Sequence, residues 1–249
     1  MQGFLKLVNI PFVGPSVLGS SAGMDKDVTK RLLRDAGIDI ADFLVYKKHE
    51  AGDIKFAPTK KKLGMPLFIK PANAGSSVGV SKVRTEKEFY AAIKTAFKFD
   101  TKILIEEFIP GREIEVAVLG NEHPMASIPG EIVPGADFYS YEAKYAATSE
   151  SVPVIPAPLP KKQIVEIQKT ALKAFNALSL EGLTRVDFFV SNTGRILINE
   201  VNTIPGFTSI SMYPKLWEAT GLSYSQLISR LLELALERFE NESALQTTM

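Results

Sequence analysis

Two neighbouring strand-like segments carry residues whose side chains could form one polar site. The segments are "GLTRVDFFV" and "RILINEVNT", and "SNTG" separates them. If this linker closes a hairpin through a two- or four-residue loop, Arg185 falls opposite Glu200, and Asp187 lies diagonally across from Glu200. Asn202 follows Glu200 by two residues, so both side chains share one face of the strand. The spacing therefore predicts one polar cluster of these four residues.

The oxygen atoms of this predicted cluster would suit a divalent metal ion. Asp187, Glu200 and Asn202 offer two carboxylates and one carboxamide, an all-oxygen set that is typical of Mg²⁺ or Mn²⁺ and not of zinc. The residues alone leave a second interpretation open. In it, Arg185 and Glu200 form a surface salt bridge, and Asn202 begins a turn.

The second of these segments also contains apolar residues at strand spacing. Ile196 and Ile198 are separated from Glu200 and Asn202 by even numbers of residues, so period-two geometry predicts one shared face. Phe189 on the preceding segment is expected to extend the apolar patch. A slip of one residue would move the polar side chains to the other face of the sheet.

Three further segments could bind a nucleotide. "KPANAGSSVGV" begins at Lys70 and combines small residues with hydroxyls, and glycine lets the backbone approach a phosphate closely. "EEF" ends a strand-like segment, and it offers the Glu106 carboxylate for an amino group and Phe108 for a flat ring. "YEAKYAA" places Lys144 and Tyr145 in a long proline-rich loop, where a lysine could reach phosphates when the loop closes. Each segment alone also fits a simple turn, an exposed strand end or a surface loop.

The composition excludes several classes of site. The 249 residues carry a formal net charge of +1, which gives no indication of a nucleic-acid or membrane partner. No cysteine is present, so disulfides, thiolate metal sites and cysteine nucleophiles are excluded. No apolar stretch approaches the ~18 residues of a membrane span, and the beginning of the sequence lacks the layout of a signal peptide. The cytoplasm is the expected compartment.

The basic run 60–62 is expected to be a solvated turn, and His49 and His123 are expected to be surface residues.

The order of the predicted elements indicates an α+β fold. Helix, strand, strand, helix, strand and strand precede the long loop, and helix, strand, strand and helix follow it. Strands that are adjacent in sequence, with helices between the groups, favour antiparallel sheets backed by helices. The sequence therefore predicts two α+β lobes, each built on an antiparallel sheet.

Six segments together carry a resemblance to a known family. They are, in order, "MDK", "IKPANAGSSVGVSKV", "IEEFIPGREIEV", "YSYEAKY", "TRVDFF" and "NEVNTIPGFTSISMYP". Over nearly the whole chain they resemble the ATP-grasp ligases, and more narrowly the D-alanine–D-alanine ligase family. The resemblance implies an ATP-grasp fold, in which two α+β lobes with antiparallel sheets clasp ATP between them. It implies a remnant or linker at 1–24, a central lobe at 25–112, and a C-terminal lobe at 113–249 with a lid loop at about 130–160.

The resemblance also implies a role for each matching residue. Nucleotide contacts are implied for Lys26, Lys70, Ser76, Ser77, Glu106, Glu107, Phe108, Ile109, Glu113, Phe138, Lys144, Phe189 and Asn199. Contacts with the reacting groups are implied for Ser76, Lys144, Tyr145, Arg185, Gly206 and Ser211. The ligands of two metal ions are implied to be Asp187, Glu200 and Asn202, with Glu200 shared between the ions.

The implied cofactors are ATP and two Mg²⁺ (or Mn²⁺) ions. ATP would phosphorylate the carboxylate of a first D-alanine, and the amine of a second D-alanine would then displace phosphate from the acyl phosphate. The product would be D-alanyl-D-alanine, for peptidoglycan precursor synthesis. Tyr145 accompanies this product in the family, whereas ligases that make the D-lactate ester carry another residue there. Two alternatives stay open: another ATP-grasp ligase, which would be a carboxylate–amine, a D-Ala–D-Ser or a D-Ala–D-lactate ligase, and a truncated ATP-binding fragment with little ligase activity.

Ligases of this family normally begin with an α/β domain of roughly a hundred residues, which this sequence is expected to lack. That domain supplies an acidic residue for the ammonium of the first D-alanine and part of the subunit contact. The expectation is therefore that ATP binding survives, that ligation is weak or absent, and that a homodimer is weakened. Small molecules are the expected partners, without nucleic acid or membrane.

Overall fold

The computed structural model describes residues 1–133 and 152–246. Its helices are α1 (Gln2–Leu7), α2 (Val17–Met24), α3 (Lys26–Asp35), α4 (Phe56–Leu63), α5 (Glu86–Ala96), α6 (Lys161–Ala177), α7 (Met212–Thr220) and α8 (Tyr224–Ser243), with a 3₁₀ helix at Lys48–Asp53. Its strands are β1 (Phe43–Lys47), β2 (Leu67–Pro71), β3 (Ser81–Val83), β4 (Lys102–Glu107), β5 (Gly111–Gly120), β6 (Met125–Ala126), β7 (Gly130–Val133), β8 (Val152–Val154), β9 (Gly182–Ser191) and β10 (Ile196–Asn202). Every paired strand in these ranges is antiparallel, so the predicted α+β class is confirmed.

The smaller sheet has the strand order β1-β4-β2-β3. Ile69 of β2 pairs with Ile105 of β4, and both are fully buried in a core that includes Phe89 of α5. Helix α5 begins where the Thr85 side chain accepts a hydrogen bond from the Glu88 amide at 3.3 Å. Alternate residues of the same strands face away from this core, because side chains alternate along a strand. The smaller sheet therefore has one face free to line a site.

The larger sheet has the strand order β10-β9-β5-β7-β8, with β6 paired to β5. One face packs on α6, where Val116 and Val186 share a core with Phe175. Part of the other face packs on α7 and α8, where Leu183 shares a core with Tyr213. Further along the same strands that second face is not covered by these helices. It carries the polar residues of the site instead.

Helix α3 connects the two sheets. Its N-cap residue Asp25 and its residue Asp27 form ion pairs with Lys102 of β4 at 2.7 and 3.1 Å. On the other side of the helix, Leu33 lies in the core of the larger sheet. One helix thus contacts both sheets, and it contributes Lys26 to the cleft between them.

The observed register between β9 and β10 differs from the predicted one, and β10 contains a bulge at Asn199. Glu200 lies directly opposite Asp187, and Asn202 lies opposite Arg185. The prediction that Arg185 faces Glu200 is therefore wrong. Two shifts add up: the hairpin places Ile196, not Arg195, opposite Val190, and the extra residue at Asn199 moves the pairing by one further position.

The same bulge separates the apolar residues from the polar cluster. Ile196 and Ile198 pack with Phe188 and Val190 in the core under α6, and they do not share a face with Glu200. Phe189, which was expected beside the two isoleucines, lines the cleft on the opposite face. The predicted shared face is wrong because one inserted residue inverts the alternation of every side chain beyond it.

Other surface predictions can also be compared with the structure. Lys60–Lys62 are exposed as expected, but they lie in the last turn of α4 and not in a turn between elements. Histidines 49 and 123 are exposed, as predicted. None of the helices in the described part of the chain has the length and apolar character that crossing a bilayer requires.

Gly79→Ala is expected to lower the free energy of unfolding by roughly 2 kcal/mol. Gly79 has a φ of +71°, and an added Cβ would lie 2.8 Å from the Pro71 ring and 2.7 Å from Phe99. Gly75→Ala is the matched control, because nothing lies within 4 Å of a Cβ at that position. Urea unfolding measures both variants. Equal midpoints would contradict the steric argument.

Candidate active site

A cleft between the two sheets brings together most of the predicted nucleotide residues. Its lining includes ten of them, namely Lys26, Lys70, Ser77, Glu106, Glu107, Phe108, Ile109, Glu113, Phe189 and Asn199. The lining also includes Glu200, one of the predicted metal ligands. Residues from β2, β4, β5, β9 and β10 therefore converge on one concave surface, although they are far apart in the sequence.

A buried carboxylate forms part of the cleft wall on the smaller sheet. Glu106 is 2% exposed, and its carboxylate lies 2.5 Å from Lys70 Nζ and 3.3 Å from Lys30 Nζ. Burial by itself would raise the pKa of Glu106, but the two ammonium groups hold that pKa below its ordinary value. The interpretation of "EEF" as an exposed strand end is therefore wrong for Glu106. Lys30 was not predicted from the sequence.

Aromatic and aliphatic side chains complete this wall. The rings of Phe68 and Phe108 lie 6.0 Å apart, and Lys82 Nζ lies 4.2 Å from the centre of the Phe108 ring. Val80, Phe68 and Lys82 line the cleft but were not predicted. Strand alternation could have identified Phe68, because it lies two residues before Lys70 on β2. The wall can accept a flat, uncharged ring.

Lys26 connects the glycine–serine loop with the larger sheet. Its Nζ donates a hydrogen bond to the Ala74 carbonyl at 2.8 Å and lies 3.6 Å from a carboxylate oxygen of Glu200. Ser76 and Ser77 have positive φ values of 51° and 60°. Ser77 lines the cleft, whereas Ser76 is exposed and is not among the lining residues of the described cleft. The loop thus presents backbone and hydroxyl groups beside one ammonium.

A charged cluster centred on Arg185 lies on the larger sheet next to the cleft, and its neighbour Glu200 lines the cleft. The Arg185 guanidinium donates two hydrogen bonds of 2.7 Å to Asp187, and its Nε lies 3.1 Å from Glu115. The Asn202 amide donates to Asp187 at 2.9 Å. Burial would lower the pKa of Arg185, but Asp187, Glu115 and Glu200 raise it above its ordinary value. The arginine therefore stays charged, and Glu115 is a further member that the sequence did not reveal.

The donor set of this cluster fits a hard divalent cation. Asp187 and Glu200 are directly opposite on neighbouring strands, and the Asn202 carboxamide follows on the same face. Within the described ranges, no group of three or more histidine, cysteine or acidic residues is arranged to hold a metal ion. A set of two carboxylates and a carboxamide matches Mg²⁺, which retains several waters and bridges to substrate phosphates.

The remaining predicted residues fall in two places. Gly206 and Ser211 lie in the turn after β10, where a Cβ on Gly206 would be 2.9 Å from Ser211 Oγ. The Thr208 amide donates a hydrogen bond to that same oxygen at 3.0 Å, and this hydrogen bond links residues 208 and 211 within the turn. Phe138, Lys144 and Tyr145 lie outside the described residues.

Comparison with known proteins identifies the family. The sequence profile described as "D-ala D-ala ligase C-terminus" matches residues 32–233, which is more than half of the chain. The chain belongs to the D-alanine–D-alanine ligase family. The D-alanine–D-alanine ligase of Oceanobacillus iheyensis is 57% identical over 248 residues, which cover 100% of this chain and 68% of that protein.

Solved structures of the D-alanine–D-alanine ligase family share the fold. The ligase from Coxiella burnetii superposes with a TM-score of 0.87 at 40% identity, over 97% of this chain and 65% of that one. The ligase from Bacillus anthracis complexed with ATP superposes with a TM-score of 0.82 at 31% identity, over 97% and 75%. The chain therefore spans about two thirds to three quarters of these relatives, and the expected ATP-grasp fold is confirmed.

Proposed function

We propose that the chain ligates two D-alanines to D-alanyl-D-alanine at the expense of ATP, in the cytoplasm, for peptidoglycan precursor synthesis. One observation carries the proposal. A single cleft combines a carboxylate-and-aromatic wall with lysines and with Glu200, which lies opposite Asp187 of the neighbouring strand. The similarity to D-alanine–D-alanine ligases, one of them complexed with ATP, supports the choice of substrates.

We assign the smaller sheet to the nucleotide. Glu106 would accept a hydrogen bond from the amino group of the base, and Phe108 would contact the base. Glu113 would bind the ribose, because its carboxylate lies on the cleft side of β5. Lys26 and Lys70 would contact the phosphates, where two ammonium groups neutralise charge that builds up during phosphoryl transfer. The other proposed contacts are Ser76, Ser77, Glu107, Ile109, Phe138, Lys144, Phe189 and Asn199.

We assign the larger sheet to the metal and the reacting carboxylate. Asp187, Glu200 and Asn202 would hold Mg²⁺ or Mn²⁺, which when bound neutralises phosphate oxygens of ATP. Arg185 would stabilise negative charge on the carboxylate of the first D-alanine as it becomes an acyl phosphate. Its guanidinium is already held in place by Asp187 and Glu115, so it needs little reorganisation.

The final step would be attack on the acyl phosphate by the amine of the second D-alanine. The Gly206 amide and Ser211 would orient the reacting carboxyl group, because the turn that contains them is closed by hydrogen bonds. Ser76, Lys144 and Tyr145 would position a lid over the substrates. Exclusion of water protects an acyl phosphate from hydrolysis.

The proposal is tested by measuring ADP release with ATP, Mg²⁺ and D-alanine, and by identifying the product with mass spectrometry. We expect ADP release to require D-alanine and D-alanyl-D-alanine to accumulate in proportion. L-alanine, D-serine and D-lactate are run as matched substrates. ADP release without dipeptide, or a preference for another substrate of this panel, would contradict the proposed ligation. ATP binding is measured separately by calorimetry, so that loss of the nucleotide site is recognised.

A further inference from the structure

Lys30 of α3 is a lysine with almost no access to solvent. It is 1% exposed, its Nζ lies 3.3 Å from the Glu106 carboxylate, and the same Nζ lies 5.5 Å from the centre of the Phe43 ring. Phe43 and Phe68 are the cross-strand neighbours of Glu106 on either side. The ammonium of Lys30 therefore lies beside Phe43 and Glu106, which are neighbours across strands β1 and β4.

This arrangement is unfavourable for Lys30 by itself. Burial lowers its pKa, and Glu106 offsets that effect only in part, while the nearby ammonium of Lys70 lowers the pKa further. Isolated buried charges are rarely retained in a protein interior unless they are paired. The partner here is Glu106, which lines the cleft, whereas Lys30 lines an adjoining cavity that shares Lys26 and Glu200 with the cleft.

The two lysines that contact Glu106 differ in what they can reach. Lys70 lines the cleft, so its ammonium can turn from Glu106 towards a bound phosphate. Lys30 Nζ is itself buried beside the carboxylate, on a helix that is anchored to β4 through Lys102. If Lys70 moves to the phosphates, Lys30 is the cation that stays with Glu106.

We propose that Lys30 is a positioning residue for base selection: its ammonium keeps Glu106 ionised and directed at the base when a nucleotide is bound. The inference rests on the proposed ATP site and deepens it. An ionised carboxylate accepts a hydrogen bond from the amino group of adenine, whereas it repels the carbonyl oxygen that hypoxanthine carries at the same position. A protonated or displaced Glu106 loses this discrimination, because a carboxylic acid can also donate.

Lys30→Met is expected to weaken ATP binding by about 10-fold and to leave ITP binding nearly unchanged, because a hydrogen bond to a charged acceptor is lost only for adenine. Calorimetry with ATP and with ITP measures both affinities. Lys30→Arg should retain most of the preference for ATP, since the charge stays beside Glu106. Lys61→Met, at an exposed position of α4, is the control and should bind both nucleotides as the unchanged chain does.

The double variant Lys30→Met/Glu106→Gln separates this role from a purely structural one. It removes the charges of Lys30 and Glu106 together and leaves Lys70, so it remains testable even if Lys30→Met folds poorly. If Lys30 acts through Glu106, the double variant and Glu106→Gln should show the same ATP-to-ITP ratio. A preference for ATP that persists in Lys30→Met, or a further loss in the double variant, would overturn the inference. Failure of the unchanged chain to bind ATP would instead contradict the proposed function.

Discussion

Arg185→Met is expected to lower the free energy of unfolding by about 3 kcal/mol, which corresponds to a fall in Tm of roughly 6–12 °C for a chain of this size. The side chain is 17% exposed and separates carboxylates that are themselves largely buried. Methionine fills a similar volume but removes the cation between Asp187, Glu115 and Glu200. The cost arises because buried carboxylates are left with mutual repulsion and without their counter-charge.

Two further variants make the Arg185 experiment decisive. Arg230→Met is the matched control, because the ion pairs of Arg230 lie on the exposed face of α8 and surface pairs contribute little. Asp187→Asn combined with Arg185→Met removes one repelling carboxylate and should recover part of the stability without restoring ADP release. A Tm for Arg185→Met equal to that of Arg230→Met would show that the cluster is not held together by this charge.

Glu200→Gln is expected to reduce ADP release about 100- to 1000-fold while the chain stays folded. Glu200 is proposed as the ligand shared by the metal ions, and it also lies 3.6 Å from Lys26. Glutamine keeps the size of the side chain but loses the negative charge that attracts a divalent cation. The Mg²⁺ concentration for half-maximal ADP release should therefore rise in the same variant.

Glu240→Gln, on the exposed surface of α8, provides the control for this substitution. It removes the same charge from the chain without touching the cleft, so its ADP release should match that of the unchanged chain. Binding of Mn²⁺ to the ATP-saturated protein gives a readout besides activity, and it should weaken only in Glu200→Gln. Unchanged turnover and Mn²⁺ binding in Glu200→Gln would refute the metal assignment.

The fold class was predictable because it depends on patterns that the sequence displays directly. Alternating strands such as 111–120 and the periodic helix 161–177 bury one face each, and the order of elements indicates the class but not the pairing, since β5 pairs with β9 and not with β4. The glycine–serine loop was predictable as a tight loop for a similar reason: positive φ at Ser76, Ser77 and Gly79 favours small residues. These features depend on local chemistry.

The register at β10 and the buried charges could not be predicted in the same way. Nothing in "ILINEVN" distinguishes a regular strand from one with an extra residue at Asn199, because the bulge is stabilised by pairing with β9. Lys30 lies on a helix whose sequence pattern is amphipathic. Its burial depends on pairing with Glu106, which lies 76 positions further along the chain. Glu115 likewise joins Arg185 only because β5 and β9 are neighbours.

The bulge at Asn199 makes the length of β10 as important as its composition. The strand uses one face to fill the core and, after the bulge, the opposite face to supply Glu200 and Asn202 to the cleft. Regular pairing of the same residues without the bulge would point those two side chains at the apolar core under α6, whereas deletion of Asn199 itself would keep Glu200 opposite Asp187 on the cleft face. In a comparison with a related chain that lacks the bulge, a gap must therefore stand at Asn199, because without it the residues beyond would be matched with side chains that face the opposite side of the sheet.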